Sequence, residues 1–344
     1  MNLEHPSATW SSAQHVEGNV VRHAERARRS AEWWNGVVSV RVSVQASPRD
    51  RASWLALAAQ VERAGFDGLY VGDHPGSGPA PFVALAAAAA VTERIQLGTC
   101  VLNAGVWDPV ALASEVATLD VVSGGRAVLG VGAGHTPQEW TSSGRPYPSS
   151  AARVDRMVEL VDATQALLRG ESVSCGGSHF TLVDAMLADP RPVRDLVPLM
   201  VGGNGTRVLR FAAQHADVVG VTGLGRTLAD GHRHEVDWSP SGLGRIVEIV
   251  RSAAEASGRR PQIEALVQHV EVTDDAPAAA ARLTAHVPGA SIDDLLDAPF
   301  VWIGTVAEIR EKIYEHRTGL GVERYMVRAP AIPQVCDILE VATP

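Results

Sequence analysis

Residues 39–74 read SVRVSVQASPRDRASWLALAAQVERAGFDGLYVGDH, and the fold is decided in this stretch. Ser39–Gln45 alternates valine with polar or charged residues, the period-two pattern of a strand. From Asp50 to Ala64 the apolar residues take up helical spacing, with Trp54, Leu57, Ala58 and Val61 on one face, and Gly65 supplies the stop. Gly68–Gly72 follows as a second short strand. Strand, helix and strand in this order make a parallel βαβ unit.

The alternation continues to the end of the chain. Helices are expected at Pro81–Thr92 and Pro109–Val122, each opened by a proline, the second stopped by Gly124 and Gly125. Strands are expected at Ile95–Leu102 and Ala127–Val131, and a long helix at Ala151–Arg169. The second half pairs strand Pro198–Val201 with helix Thr206–His215, Asp217–Val221 with Ser241–Ser257, and Ile263–Val272 with Ala276–His286. It closes with helix Thr305–Arg317 and strand Arg324–Val327. Eight strands and about eight helices predict one (β/α)8 barrel over residues 37–344, with its active site at the C-terminal ends of the strands. Three connections exceed plain turns: His135–Ser150, which falls at that mouth, Gly170–Val197, which follows a helix and is expected at the opposite end, and Val287–Gly304.

The composition narrows the function. With 344 residues, 46% of them hydrophobic, the chain can bury one large core. Its net charge is −9, without basic runs, which argues against nucleic acid and an anionic membrane as partners. Lys312 is the single lysine, so lysine Schiff-base chemistry has little to draw on. Three widely spaced cysteines, Cys100, Cys175 and Cys336, suggest neither a zinc site nor a disulfide framework and fit a reducing cytoplasm. No apolar run reaches the roughly 20 residues of a membrane span. Three readings of Met1–Gly36 stay open: a mobile tail, a helix from about Gln14 to Trp33 packed on the barrel, or an upstream start outside the functional fold.

Four strand ends carry candidate chemistry. After Gly72 come Asp73 and His74; the imidazole can exchange a proton near neutral pH, and Asp73 can orient it, hydrogen-bond a cofactor or simply fix a turn. Gly98-Thr99-Cys100-Val101-Leu102-Asn103 ends a strand where a flat ring could lie, though an ordinary strand end reads the same way. Cys100 lacks an identifiable base and is rejected as a nucleophile. Gly130, Gly132 and Gly134 leave room at the mouth, and no helix opens there, so they are not a dinucleotide fingerprint; Glu139 and Trp140 could line the pocket. Gly202-Gly203-Asn204-Gly205-Thr206 joins a strand to a helix start, where free amides and the helix dipole favour a phosphate, or where a plain tight turn suffices. The other histidines, His179, His215, His232, His234 and His269, are dispersed, with His232 to His234 in a solvated loop. Neither metal-ligand spacing nor a paired-carboxylate cluster appears, so no metal is expected.

In order, these segments resemble the luciferase-like flavin and deazaflavin oxidoreductases, from about Val38 to Pro330. The resemblance rests on Ala64-Gly65-Phe66-Asp67 with Gly72-Asp73-His74, Gly98 to Leu102, Leu119-Asp120-Val121-Val122-Ser123-Gly124-Gly125-Arg126, Gly130 to Gly134, Gly202 to Gly205 and Gly304-Thr305-Val306. It implies a luciferase-like barrel that takes the deazaflavin coenzyme F420, with FMN as the alternative. His74 would transfer the proton and Asp73 would contact the ring or its tail. A non-proline cis peptide at Cys100-Val101 and Asn103 would lie by the ring, Gly134, His135 and Thr136 along its edge, and Gly202, Gly203, Asn204, Gly205 and Thr206 on the phosphate. The sugar-phosphate dehydrogenases of the family carry an acid where His135 stands, which sets a sugar substrate in question. The implied reaction is hydride exchange between F420 and an activated C=C, C=N or C=O of a small molecule. An FMN monooxygenase with a reductase partner and a non-catalytic flavin-binding barrel are the alternatives, and a homodimer is the family expectation.

Overall fold

The computed structural model describes residues 40–227 and 234–340; the N-terminal extension and His232 lie outside them. Eight parallel strands form the barrel: β1 (Arg41–Gln45), β2 (Gly68–Val71), β3 (Gln96–Thr99, resuming at Leu102–Asn103), β4 (Ala127–Gly132), β5 (Leu199–Gly202), β6 (Val218–Val221), β7 (Gln262–Leu266) and β8 (Val322–Arg328). Each pairs with the next, and β8 returns to β1 with Gln45 opposite Arg328, so the sheet closes without a free edge. The outer ring is α1 (Arg51–Arg63), α2 (Pro81–Ala89), α3 (Pro109–Val122), α4 (Ser150–Leu168), α5 (Thr206–His215), α6 (Pro240–Ser257), α7 (Val306–Glu315) and α8 (Ile332–Leu339). Among the described residues no helix is long and apolar enough to cross a membrane.

Strand alternation sorts the side chains into two cores. Val42, Val44, Leu69, Val71, Leu97, Leu129, Val131, Ala265, Tyr325 and Val327 face the helices. Tyr70, Cys100, Val128, Met200, Val218 and Met326 fill the shaft. Inward glycines make this filling possible. A Cβ on Gly98 would lie 2.4 Å from the Tyr70 ring, and one on Gly132 or Gly202 would lie 2.7 or 2.9 Å from the Val101 side chain. The room that the sequence reading left for a ligand at Gly132 is therefore taken by Val101.

Several expectations shift. The strand expected at Ile95–Leu102 is interrupted, because the Cys100–Val101 peptide is cis and breaks the ladder there. Ile263–Val272 splits in two: β7 stays in the barrel, while His269–Val272 pairs with Val301–Gly304 in a small separate sheet. The Val287–Gly304 connection holds a helix, Ile292–Asp297, opened by a capping box of Ser291 and Asp294. The Gly170–Val197 connection carries a hairpin, Val173–Gly176 with Thr181–Ala185. It then runs to the barrel's base, as its position after a helix required. There the buried carboxylate of Asp120 accepts from the amide of Val193 at 2.8 Å and from Arg194 Nη2 at 2.7 Å.

The base of the shaft also holds a buried ion pair. Arg324 Nε donates to Glu264 Oε2 at 3.1 Å, and its Nη2 reaches Gln96 Oε1 at 3.3 Å. Removing one partner strands the other charge without water. Glu264→Ala is expected to cost about 3–5 kcal/mol of stability, measured by denaturant unfolding. A loss comparable to that of an ordinary surface substitution would show that Arg324 is satisfied without its carboxylate.

Candidate active site

Alternation brings the C-terminal strand ends to one mouth. His74 follows β2 and is half exposed there. Its Nδ1 lies 2.8 Å from Glu139 Oε1. Glu139 comes from Pro137–Ser142, a short helix in the connection after β4. The other carboxylate oxygen of Glu139 accepts from Asn103 Nδ2 at 2.6 Å. Asn103 is held in turn by its Oδ1, which accepts from the amide of Gly105 at 2.8 Å. Gly134 is required here: it sits at φ 74°, and a Cβ would lie 2.0 Å from Asn103 Oδ1.

The electrostatics follow from these contacts. The hydrogen bond and charge of Glu139 raise the His74 pKa, against partial desolvation and the charge of Arg328. Burial works to raise Glu139, but its bonds to His74 and Asn103 prevail and hold its carboxyl below the usual value. Both shifts favour an imidazolium–carboxylate pair. Nδ1 faces Glu139, and Nε2 of His74 has no partner among the described residues.

Asp73 is buried. Its Oδ2 accepts from the Asn103 amide at 3.1 Å and from Trp107 Nε1 at 2.8 Å, and burial pushes its carboxyl pKa up. Asp73 thus ties β2 to β3 and to Trp107, whose ring packs edge-on to Phe82 at 5.4 Å. Cys100 is buried in the shaft, where desolvation pushes its thiol up to about 12, and it is no nucleophile. Val101 stands at the mouth over Gly132 and Gly202.

His135 lies on the rim, its ring centroid 6.4 Å from that of His74 and 5.0 Å from that of His234. Desolvation, then the neighbouring imidazoles, lower its pKa. His234 is on a strand, His234–Val236, that folds back beside Leu224–Thr227 after β6, rather than in a solvated loop. Thr136 precedes the helix that carries Glu139. The carboxylate that meets His74 comes from Glu139, four residues beyond His135.

The glycine turn after β5 divides in two. The Asn204 side chain is committed to the next turn: Nδ2 donates to Thr222 Oγ1 at 2.8 Å, and Oδ1 accepts from the amides of Thr222 and Gly223 at 3.1 and 3.0 Å. The Gly203 amide donates to Gly220 at 3.1 Å. What remains open is the start of α5. Gly205 gives no side-chain cap, and a Cβ there would meet nothing within 4 Å, so the first-turn amides of α5 have no side-chain cap. Arg207 turns away to Asp155 on α4.

Sequence reasoning passed over Gln45, Gln268 and Arg328, at the ends of β1, β7 and β8. Arg328 donates to Gln45 and, at 3.2 Å, to Gln268, and Gln45 donates to the carbonyl of Cys100. The signal was present in β8, where Arg324, Met326 and Arg328 share the inward face.

Comparison with known proteins bears on the family and the fold. The model of the luciferase-like monooxygenase family matches residues 36–315. An F420-dependent glucose-6-phosphate dehydrogenase from Beutenbergia cavernae is 37% identical over 193 residues, 54% of this chain and 56% of that protein. One from Kineococcus radiotolerans is 32% identical over 237 residues, 66% of each. The matches to these curated relatives thus span about half to two thirds of their length. Among solved structures, an F420-dependent secondary alcohol dehydrogenase in complex with an F420-acetone adduct superposes with a TM-score of 0.69 at 22% identity, over 89% of this chain and 98% of that one. The long-chain alkane monooxygenase LadA superposes with a TM-score of 0.70 at 16% identity, over 89% and 90%. At these identities the structures bear on the fold alone.

The His74–Glu139 contact makes a prediction independent of any ligand. In Glu139→Gln the His74 pKa falls, read from the imidazole Cε1–H resonance across a pH titration. An unchanged pKa would mean the two side chains do not meet in solution.

Proposed function

The chain belongs to the luciferase-like monooxygenase family, and on that premise we propose that it is an F420-dependent oxidoreductase acting on a small organic molecule. The observation that carries the reading is the His74–Glu139–Asn103 relay, which leaves one imidazole nitrogen for a substrate. The curated relatives and the resemblance read from the sequence support F420 as the cofactor, with FMN as the alternative.

The residues present fit such a cofactor. The start of α5, with no side-chain cap and open space at Gly205, suits a phosphate. Val101, in van der Waals contact with Gly132 and Gly202, offers an apolar wall for a flat ring. Bound there, F420 would supply hydride acceptance or donation. The protein's part is to position and to move a proton. Glu139 fixes the imidazole through Nδ1 and stabilises its cationic form, while Asn103 holds Glu139 in place. His74 then takes a proton from an alcohol undergoing oxidation, or returns one to the reduced product, through Nε2. Asp73 and Trp107 keep the β2 and β3 ends aligned beneath it.

Two measurements test this. With F420 and a panel of alcohols and ketones, His74→Ala is expected to lower kcat by about 10²–10⁴-fold with little change in cofactor affinity. Turnover equal to wild type would remove His74 from the chemistry. In the oxidative direction the acidic limb of the kcat/KM profile reports the base, and Glu139→Gln moves that limb to lower pH because His74 loses the partner that raises it. A limb that stays in place would assign the base to another group.

A further inference from the structure

Two arginines share the inward face of β8, and among the described residues only one has a counter-ion. Arg324, at the base, is paired with Glu264. Arg328, two layers higher, sits beyond Met326 of the shaft core and opens to the mouth. Among the described residues it has no carboxylate partner. Its Nη1 and Nη2 donate instead to the side-chain oxygens of Gln45 and Gln268. These amides fix the plane of the guanidinium without neutralising it. Gln45 is itself anchored on the carbonyl of Cys100. Of the five N–H donors of an arginine, three are left for a ligand.

Arg328 is exposed at the mouth, and a guanidinium held in plane with no carboxylate partner among the described residues is ready to take an anion. Desolvation by the mouth residues lowers the Arg328 pKa, and its charge is felt at His74, whose pKa it depresses. Geometry puts them at one mouth: a Cβ on Gly72 would lie 3.5 Å from Nε2 of Gln45, which holds Arg328, and 3.8 Å from Cδ2 of His74. The planar fork of a guanidinium matches a carboxylate with two parallel hydrogen bonds.

We propose that Arg328, clamped by Gln45 and Gln268, is an anion subsite on the floor of the mouth that takes a carboxylate of the substrate, making the substrate a small organic acid. This rests on the oxidoreductase reading and specifies its substrate class. The carboxylate anchors the molecule on the β8 side of the mouth and leaves its reacting carbon to the space shared with His74. Neutral molecules of the same shape lose that anchor.

The test uses the full chain with propionate and benzoate as probes and their neutral amides as controls. Binding is followed by the His74 Cε1–H resonance, with F420 affinity measured on the same preparations. The carboxylates are expected to bind about ten- to a hundredfold tighter than the amides and to raise the His74 pKa as they mask the arginine. Arg328→Gln should abolish the selectivity, and Arg328→Lys should retain part of it. Gln45→Met, which keeps the charge but loosens the clamp, should weaken carboxylate binding several-fold, with circular dichroism confirming the fold of each variant. Equal binding of acids and amides, or undiminished carboxylate binding in Arg328→Gln, overturns the subsite. So does an Arg328→Gln variant that loses F420 affinity while keeping the selectivity, since the cation would then serve the cofactor. Carboxylate selectivity without F420 binding would sink the cofactor reading and leave the subsite standing.

Discussion

The Glu139 carboxylate joins three strand ends that are otherwise separate in the chain. It accepts from Asn103 after β3 and meets His74 after β2, while its own helix hangs from β4. The contact depends on backbone as much as on charge. Gly134 must adopt φ 74° with no Cβ for Asn103 to come close enough, and Asp73 must be buried to pin the Asn103 amide and Trp107. A carboxylate with both oxygens engaged orients an imidazole more firmly than a solvated one. The same network that aligns the mouth therefore also sets the charge preference of His74.

The barrel divides its inward-facing charge by depth. At the base, Arg324 and Glu264 are paired and sealed, and they contribute to holding the fold. In the middle layer, Tyr70, Val128, Met200, Val218 and Met326 fill the shaft, with glycines where neighbours need the space. At the top, Arg328, Gln45 and Gln268 form a polar layer whose charge is oriented and has no carboxylate partner among the described residues. A sealed ion pair at the base and solvent-accessible charge at the mouth match the division in this fold between a stability face and a catalytic face.

Much of this was legible in the sequence because the periodicity is strong. The eight strands, the buried face of Trp54, Ala58 and Val61, and the placement of Asp73 and His74 at a strand end all follow from alternation and helical spacing. The helices Pro109–Val122 and Thr206–His215 begin and end where proline, glycine and apolar spacing put them. Other features depend on distances through space. Glu139 was visible in a loop, but its contact with His74, 65 positions away in sequence, cannot be read from spacing. The inward glycines of β4 looked like room for a ligand, because the sequence does not reveal that Val101 turns over them. Asn204 read as a phosphate contact, yet its side chain is spent on Thr222 and Gly223, and the open amides lie one turn further on. Arg328 lies one residue beyond the strand expected at Arg324–Val327; that it has no carboxylate partner among the described residues shows only once the barrel closes.

What the mouth holds decides the function. The direct measurement is a parallel titration of the purified chain with F420 and with FMN, followed by cofactor fluorescence, with inorganic phosphate as competitor for the α5 start. Saturable binding of F420 at micromolar concentration, weaker binding of FMN and displacement by phosphate are predicted. Binding of FMN alone, or of neither, would contradict the assignment.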